Sequence, residues 1–301
     1  MSAPPSAGRA AGTVPVSGSR DKRAPVVRPV RRRRNVLMWC SLAWIVLVVV
    51  ASAGAALLPL ADYGAPIGFP GAGPSGALDQ WLGLDNLGRS VLSRLVYGGQ
   101  VSLLVGAIAG TIAAVVGTLL GLIAGCFGGP VDTVITYVTD ALLAFPPLVL
   151  LMAISSILRP SFGTLLIGLT TLVIPTFVRL ARANTLNWAS RDFVLAARNM
   201  GWGRTRIAFR EVLPNVVPSV LAYFPTVVAA LIVAEGSLGF LGLGIPPPRP
   251  SWGTMIADGK DFLTTDPQMV FIPTAAIFLT IFALNQCGDY ARHRFDRTMQ
   301  Q

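Results

Sequence analysis

Charged residues are scarce in this sequence: they make up 13% of its 301 residues, against about 25% in a typical soluble domain. Histidine occurs once, as His293 in a basic tail, so metal or acid–base chemistry built on histidine is not expected. The three cysteines, Cys40, Cys126 and Cys287, lie far apart in or beside apolar runs. That spacing supports neither a disulfide framework nor a zinc site. We therefore predict no metal site and no catalytic residue.

An ATP-binding motif is also missing. The P-loop needs Gly, four residues, Gly-Lys and then Ser or Thr. Gly259-Lys260 is followed by Asp261 and has no glycine at the upstream position. The chain is predicted not to be an enzyme and to hold no cofactor. A membrane-embedded enzyme is also disfavoured, because it needs clustered His, Asp, Glu or Cys at helical spacing.

Apolar residues are correspondingly abundant and make up 53% of the chain. The first uncharged run, Val36 to Leu58, has 23 residues, whereas a signal-peptide core has about 7–15. It is long enough to cross about 30 Å of hydrocarbon, so we interpret it as a retained first membrane helix. Later runs predict five more spans, at about 95–131, 132–158, 162–178, 212–234 and 269–288. The expected fold class is an all-α membrane protein with six transmembrane helices.

The basic residues predict how these spans are oriented. The net charge is +10, and 19 of the 24 lysines and arginines lie near the two termini or between spans four and five. The positive-inside tendency places the tail 1–35, the loop 190–212 and the C-terminal tail 291–301 in the cytoplasm. Because these residues flank apolar runs rather than forming a soluble basic face, nucleic acid is not an expected partner.

The remaining segments complete the domain division. Residues 1–30 are rich in Ala, Pro, Ser, Gly and Arg, so a disordered basic tail over 1–35 is predicted. The range 36–94 comprises the first span and an extracytoplasmic segment, and 95–290 forms a five-helix core. The loop from about 239 to 268 contains four closely spaced prolines, which predicts a stiff, non-helical excursion.

The loop between spans four and five has the pattern of a short amphipathic helix. Ser190 is a candidate N-cap, Asp192 lies in the first turn, and Gly201 is a natural stop. Four residues with helical spacing share one face: Phe193, Ala196, Ala197 and Met200. The fifth span then begins at Leu213-Pro214. On physical grounds this helix either docks on a protein partner or lies on anionic lipid.

The same loop resembles the cytoplasmic signature of binding-protein-dependent ABC importer permeases. That signature is Glu-Ala-Ala, three residues, Gly, nine residues, an apolar position, one residue and Leu-Pro. Ala196-Ala197, Gly201 and Leu213-Pro214 match it in spacing, while Leu195 replaces the glutamate and Glu211 the apolar residue. The resemblance implies that an ATPase is coupled through this set: Asp192, Phe193, Leu195, Ala196, Ala197, Met200, Gly201, Leu213 and Pro214.

Three further blocks are similar to the C-type subunit of dipeptide and oligopeptide permeases. They are Asp85–Leu95, Leu142–Pro146, and Ser237–Pro248 with Pro250–Gly253. This likeness implies a type I ABC importer permease fold with a cytoplasmic coupling helix, located in the cytoplasmic membrane. The implied partners are a homologous second permease, two cytoplasmic ABC ATPases that use ATP and Mg, an extracytoplasmic substrate-binding protein and membrane lipid.

Four residues are candidates for the translocation pathway: Asp140, Phe145, Glu235 and Phe240. Ionisable groups within membrane spans are costly and mark functional sites by default. Alternatively, Asp140 makes an interhelical hydrogen bond and Glu235 is a carboxylate at a helix end. Phe145-Pro146 should break or kink the third span. The Gly239–Gly244 segment, which includes Phe240, is expected to serve close packing and to share in an outer gate.

The function implied by the resemblance is import of di- or oligopeptides by alternating access, driven by separate ATPase subunits. A nickel or other small-solute importer of the same family remains an alternative, because the pathway candidates do not discriminate between them. An ion-coupled secondary transporter is a third hypothesis. It should show inverted repeats with broken helices in both halves, and the sequence shows no such pairing.

Overall fold

The computed structural model describes residues 31–299, with side chains described for residues 36–294. Most of the predicted disordered tail, residues 1–30, lies outside this range. The described chain is helical, with an isolated bridge between Leu84 and Ser90. Its helices are α1 Arg31–Ala53, α2 Val91–Phe127, α3 Gly129–Ala144, α4 Pro147–Ile157, α5 Phe162–Ala189, α6 Asp192–Asn199, α7 Arg204–Ile207, α8 Leu213–Phe240, α9 Trp252–Gly259 and α10 Gln268–Met299.

Five stretches of the described chain are long and apolar enough to cross a membrane: α1, α2, α5, α10 and the run Arg204–Phe240 that contains α8. Helices α3 and α4 meet the same criterion as a pair, but they are bent by 90° at the break between Ala144 and Pro147. Counting that pair as one span gives six, as the uncharged runs predicted. The predicted break at Phe145-Pro146 is confirmed, and the 90° bend divides this span into the two helices α3 and α4.

Helix α2 occupies the centre of the bundle and contacts α5 more extensively than any other pair of helices touch. Small residues permit this approach: a Cβ built on Gly117 would lie 2.6 Å from Phe177 Cβ, and one on Gly121 would lie 2.6 Å from the Val178 carbonyl oxygen. Helix α8 packs on α2 and α10. Helix α1 packs on α10, where Trp44 Nε1 donates to Thr280 Oγ1 at 3.1 Å.

The loop 190–212 lies at one end of the bundle, which we call the basic end. Segment 59–90 and helix α9 lie at the other, which we call the opposite end. The prediction of a non-helical loop over 239–268 is wrong, because α8 continues to Phe240 and α9 forms within the loop. The Ser251 side chain and Thr254 cap α9 reciprocally, which starts a helix directly after the prolines.

Candidate coupling loop and translocation face

Helix α6 ends in a tight turn at the position that the sequence pattern predicts. Gly201 has φ +82°, a left-handed conformation that glycine adopts without a Cβ penalty. The Trp202 amide then donates to the Ala197 carbonyl at 3.2 Å, which closes the turn. The chain leaves through α7 and a π-helical turn, Ala208–Val212, and enters α8 at Leu213 without a break.

The two faces of α6 have different surroundings. Val194 is fully buried and Ala197 is only 3% exposed, because both pack into the hydrophobic core of the same chain. Ala197 therefore faces inward, which corrects its predicted place on the partner-facing surface. Its small side chain lets α6 lie close to the bundle. The outward face consists of Phe193, Leu195, Ala196 and Met200, all exposed.

The start of α6 also differs from expectation. Arg191 occupies the N-cap position without a side-chain hydrogen bond, and Ser190 Oγ donates to the Asn187 carbonyl at 3.0 Å. The predicted Ser190 cap is therefore wrong. Arginines instead stack on aromatic rings: Arg191 lies 5.5 Å from the Trp188 ring centre, and Arg206 lies 3.9 Å from that of Trp202. These contacts hold both flanks of the loop.

The π-helical turn joins the loop to the fifth span as one continuous helical segment. Its residues include Glu211, whose carbonyl accepts from Asn215 Nδ2 at 2.7 Å. Leu213 and Pro214 begin α8, and proline is tolerated there because it lies in the first turn. Single π turns recur at functional positions in helices. This run begins at Arg204, after the four-residue turn Met200–Gly203 that separates it from α6.

Asp140 makes the interhelical hydrogen bond that the sequence analysis gave as its alternative role, although that analysis did not name the partner. Arg179 Nη2 donates to Asp140 Oδ1 at 2.6 Å, between α5 and α3. A second pair forms one helical turn further along α5, where Arg182 contacts both oxygens of Asp132 at 2.5 and 2.6 Å. One feature of the sequence could have indicated these two ion pairs: two arginines three residues apart follow a span that carries two aspartates.

One of the two phenylalanine candidates, Phe240, lines an apolar cleft of about 390 Å³. Phe240, at the end of α8, lines the cleft, and Leu148 of α4 lines its other side. Phe145 is exposed in the α3–α4 break, three residues before Leu148. Lys260 Nζ lies 5.9 Å from the Phe240 ring centre. The structure thus brings the broken third span and the end of α8 together.

Glu235 occupies a different environment from the other three pathway candidates. Its side chain is fully buried, and Oε2 accepts a hydrogen bond from Ser102 Oγ at 2.8 Å. The same hydroxyl accepts from the Trp252 amide at 3.3 Å. Glu235 therefore ties α8 to α2 and α9 and reaches no exposed face in this conformation. Its predicted place in the pathway remains a prediction.

An ion network at the opposite end also went unpredicted, with Asp85, Arg89 and Arg94 buried and Asp258 exposed. Arg89 Nε lies 2.7 Å from Asp85, and Arg94 Nη2 lies 2.9 Å from Asp258. Longer cross-contacts of 3.5 Å complete the set of four charges. The network joins the start of α2 to α9. Among the residues that the structure describes, no group of three or more His, Cys, Asp or Glu is arranged to hold a metal ion.

Comparison with known proteins now identifies the family. The family description "binding-protein-dependent transport system inner membrane component" matches residues 117–301. The chain belongs to this family. It is a multi-pass membrane protein, and the family is that of the membrane components of such transport systems.

Curated relatives and solved structures agree with this assignment. The chain is 37% identical over 269 residues to the glutathione transport system permease protein GsiD of Escherichia coli O6:K15:H31, covering 88% of this chain and 87% of the relative. GsiD of Shigella flexneri serotype 5b is 38% identical over the same length. An inward-facing structure of the MetNI methionine ABC transporter has a chain with TM-score 0.56 and 16% identity, covering 67% of this chain and 96% of that one. This likeness shows a shared fold.

Proposed function

We propose that this chain is a transmembrane subunit of an ATP-driven importer that moves di- or oligopeptides across the cytoplasmic membrane. The relatives named above are glutathione permeases, and glutathione is itself a small peptide. The family assignment supports a role as the membrane component rather than as the ATPase. ATP and Mg are then used by separate subunits, and this chain supplies half of the pathway.

One observation carries the coupling part of this proposal. Helix α6 is fastened to the bundle by its inward face, while Phe193, Leu195 and Met200 are large apolar side chains exposed at the basic end. Met200 is 67% exposed. An exposed apolar surface on a rigidly held helix suits a protein partner. The arginines that flank α6 can in addition contact anionic lipid headgroups at the edges of this surface.

Coupling would then pass from α6 across the Met200–Gly203 turn into one long helical run. An ATPase that changes shape on binding ATP would push α6, and the helical run from Arg204 to Phe240 would transmit the movement to the far end of α8. Phe240 lies at that end, beside the cleft shared with α4. Two arrangements of this path, favoured by different nucleotide states, would give alternating access.

The remaining partners follow from this arrangement. The basic end faces the cytoplasm by the positive-inside tendency, which places both termini and the ATPases on that side. A homologous second permease completes the pathway, and an extracytoplasmic substrate-binding protein docks at the opposite end. Segment 59–90 and α9 form the surface available to it.

Co-purification tests the coupling assignment. The chain is purified from membranes that contain its complex, and the recovered ATPase is measured for wild type, Met200→Asp and the control Met200→Leu. A charge placed in an apolar contact should lower ATPase recovery roughly tenfold or more, whereas leucine should preserve it. A wild-type chain that purifies without any ATPase would contradict the proposal and favour an ion-driven transporter.

A further inference from the structure

We propose that Asp140 and Arg179 form an exchangeable ion pair that recognises the two end charges of a zwitterionic solute. In this inference Asp140 receives the ammonium group, and Arg179 receives the carboxylate. The inference rests on the proposed function, because it assigns the substrate class of the same pathway. It adds a specific pair of recognition residues to that pathway.

The first support is the position of the pair. Asp140 lies on α3 and Arg179 on α5, and both helices belong to candidate membrane spans. The contact between Arg179 Nη2 and Asp140 Oδ1 is 2.6 Å, yet the two side chains are 59% and 48% exposed in this subunit. Charges inside a membrane span face a protein interior or a water-filled cavity rather than lipid. In this inference the exposed pair takes the second of these environments and faces the pathway of the assembled transporter.

The second support is the contrast with the neighbouring pair. Arg182 holds both oxygens of Asp132, and these side chains are only 33% and 22% exposed. A bidentate, more enclosed pair of this kind fixes the geometry of two helices. Helix α3 needs such an anchor, because Thr139 is the one buried residue among its sixteen. With Asp132–Arg182 holding α3 to α5, Asp140–Arg179 is free to open.

The third support is the chemistry of exchange. An exposed ion pair contributes little to stability, so opening it costs little. A zwitterion replaces the one contact with two charge-assisted hydrogen bonds, and the total charge of the site stays at zero. The end charges of an extended dipeptide are about 7 Å apart, and the long, flexible Arg179 side chain can swing to admit them. A solute lacking either charge would leave one residue unpaired.

The pair also lies close to the break in the third span. Asp140 precedes Phe145 by five residues, which is about 7.5 Å of helical rise. Phe145 is exposed at the 90° bend between α3 and α4. A solute bound between Asp140 and Arg179 would therefore lie next to the point where the span changes direction. Leu148, three residues beyond Phe145, lines the apolar cleft that Phe240 also lines.

A cysteine reporter beside the intact pair tests the inference. Tyr137→Cys is placed in a complex whose native cysteines, Cys40, Cys126 and Cys287, are changed to serine. Tyr137 is exposed and lies one turn before Asp140 on the same side of α3. The control reporter is Val138→Cys, at a position that is also exposed in this subunit but lies about 160° away from Asp140 around the helix.

Labelling by a charged, water-soluble thiol reagent is measured on the permease–ATPase complex in nanodiscs without a binding protein. The added solutes are Ala-Ala, which has both end charges, N-acetyl-Ala-Ala, which lacks the ammonium group, and Ala-Ala-amide, which lacks the carboxylate. Ala-Ala should protect the thiol of the Tyr137→Cys reporter and leave labelling of the Val138→Cys control unchanged. Each blocked solute should need a roughly tenfold to hundredfold higher concentration for equal protection, because one charged hydrogen bond is lost.

Substitutions in the reporter background then separate the two roles. Asp140→Asn should abolish the advantage of a free amino group, and Arg179→Gln should abolish that of a free carboxylate. Failure of the reagent to label the Tyr137→Cys reporter, or equal protection by all three solutes, would overturn the inference. Recovery of the ATPases and ATP-driven uptake, measured on the same wild-type complex, would show whether the proposed function fails with it.

Discussion

Single glycines decide how closely the two central helices approach. Gly121 lies where a Cβ would come within 2.8 Å of three atoms of α5, including the Val178 carbonyl oxygen and Ala181 Cβ. Two of those three atoms belong to the backbone, which cannot rotate away. Because α2 forms the centre of the bundle, its spacing from α5 determines the position of the loop that follows α5.

Replacement of Gly121 by alanine tests this spacing. We expect Gly121→Ala to lower the free energy of unfolding by about 1–3 kcal/mol, because the added methyl group overpacks the contact. Thermal unfolding of the detergent-solubilised chain measures the effect. Gly203→Ala is the control, since no atom lies within 4 Å of a Cβ built there. Equal unfolding temperatures for both variants would show that α2 and α5 are not tightly packed.

Glu235 is a buried carboxyl group that links α8 to α2 through Ser102. We expect Glu235→Ala to destabilise the chain by about 2–4 kcal/mol, because it leaves a cavity and deprives Ser102 of its acceptor. Glu235→Gln keeps an acceptor oxygen and should cost less. Unfolding temperature and uptake rate are measured together. A loss of uptake in both variants without a loss of stability would instead place Glu235 in the pathway.

The side to which individual residues point was only partly predictable. Helical spacing grouped Phe193, Ala197 and Met200 on one face, but periodicity at 100° per residue does not say where a narrow buried stripe begins. In the structure Ala197 joins Val194 inside, while Phe193 and Met200 remain outside. The sequence analysis offered an interhelical hydrogen bond for Asp140, but the choice of Arg179 as its partner depends on how two sequence-distant helices are aligned.

Among the helices, α9 shows how a short helix can be anchored by one side chain. Trp252 is 2% exposed, and its Nε1 donates to the Leu95 carbonyl at 2.9 Å. A Cβ on Gly98 or Gly99 would lie 3.0–3.4 Å from atoms of this residue. Because these two glycines have no side chains, the Trp252 residue can pack directly against the backbone of α2. Helix α9 is held against α2 through this contact and the ion network.

Removal of that ring should detach α9. We expect Trp252→Ala to lower stability by about 3–5 kcal/mol, because a large, fully buried aromatic side chain is lost. Trp81→Ala is the matched control, since Trp81 is 68% exposed and should have almost no effect. Unfolding temperature and limited proteolysis after α9 measure the outcome. Resistance of the Trp252 variant to both would show that the ion network alone anchors α9.

Helix boundaries followed from the sequence where apolar runs end in glycine or proline. The bend at Phe145-Pro146 and the start of α8 at Leu213-Pro214 were predicted correctly. Helix α9 was missed because four nearby prolines indicated an extended segment. The decisive feature, the reciprocal cap of Ser251 and Thr254, uses a threonine where glutamate or glutamine is usual.

At the scale of the whole molecule, hydropathy and charge predicted most of the architecture. A chain in lipid must satisfy its backbone polar groups within helices, so long uncharged runs leave few alternatives. The six-span count agrees with the structure once the bent pair is counted as one span. The route by which a solute crosses depends on a second chain, so no pattern within a single subunit determines it.

ATP-driven uptake by a reconstituted complex tests the central claim most directly. The chain, its second permease and two ATPases are placed in lipid vesicles with a binding protein, and uptake of labelled Ala-Ala is measured after ionophores remove all ion gradients. The account predicts uptake that requires ATP and is lost in Met200→Asp while the fold is retained. Uptake by this chain alone, driven by a proton or sodium gradient without ATP, would contradict it.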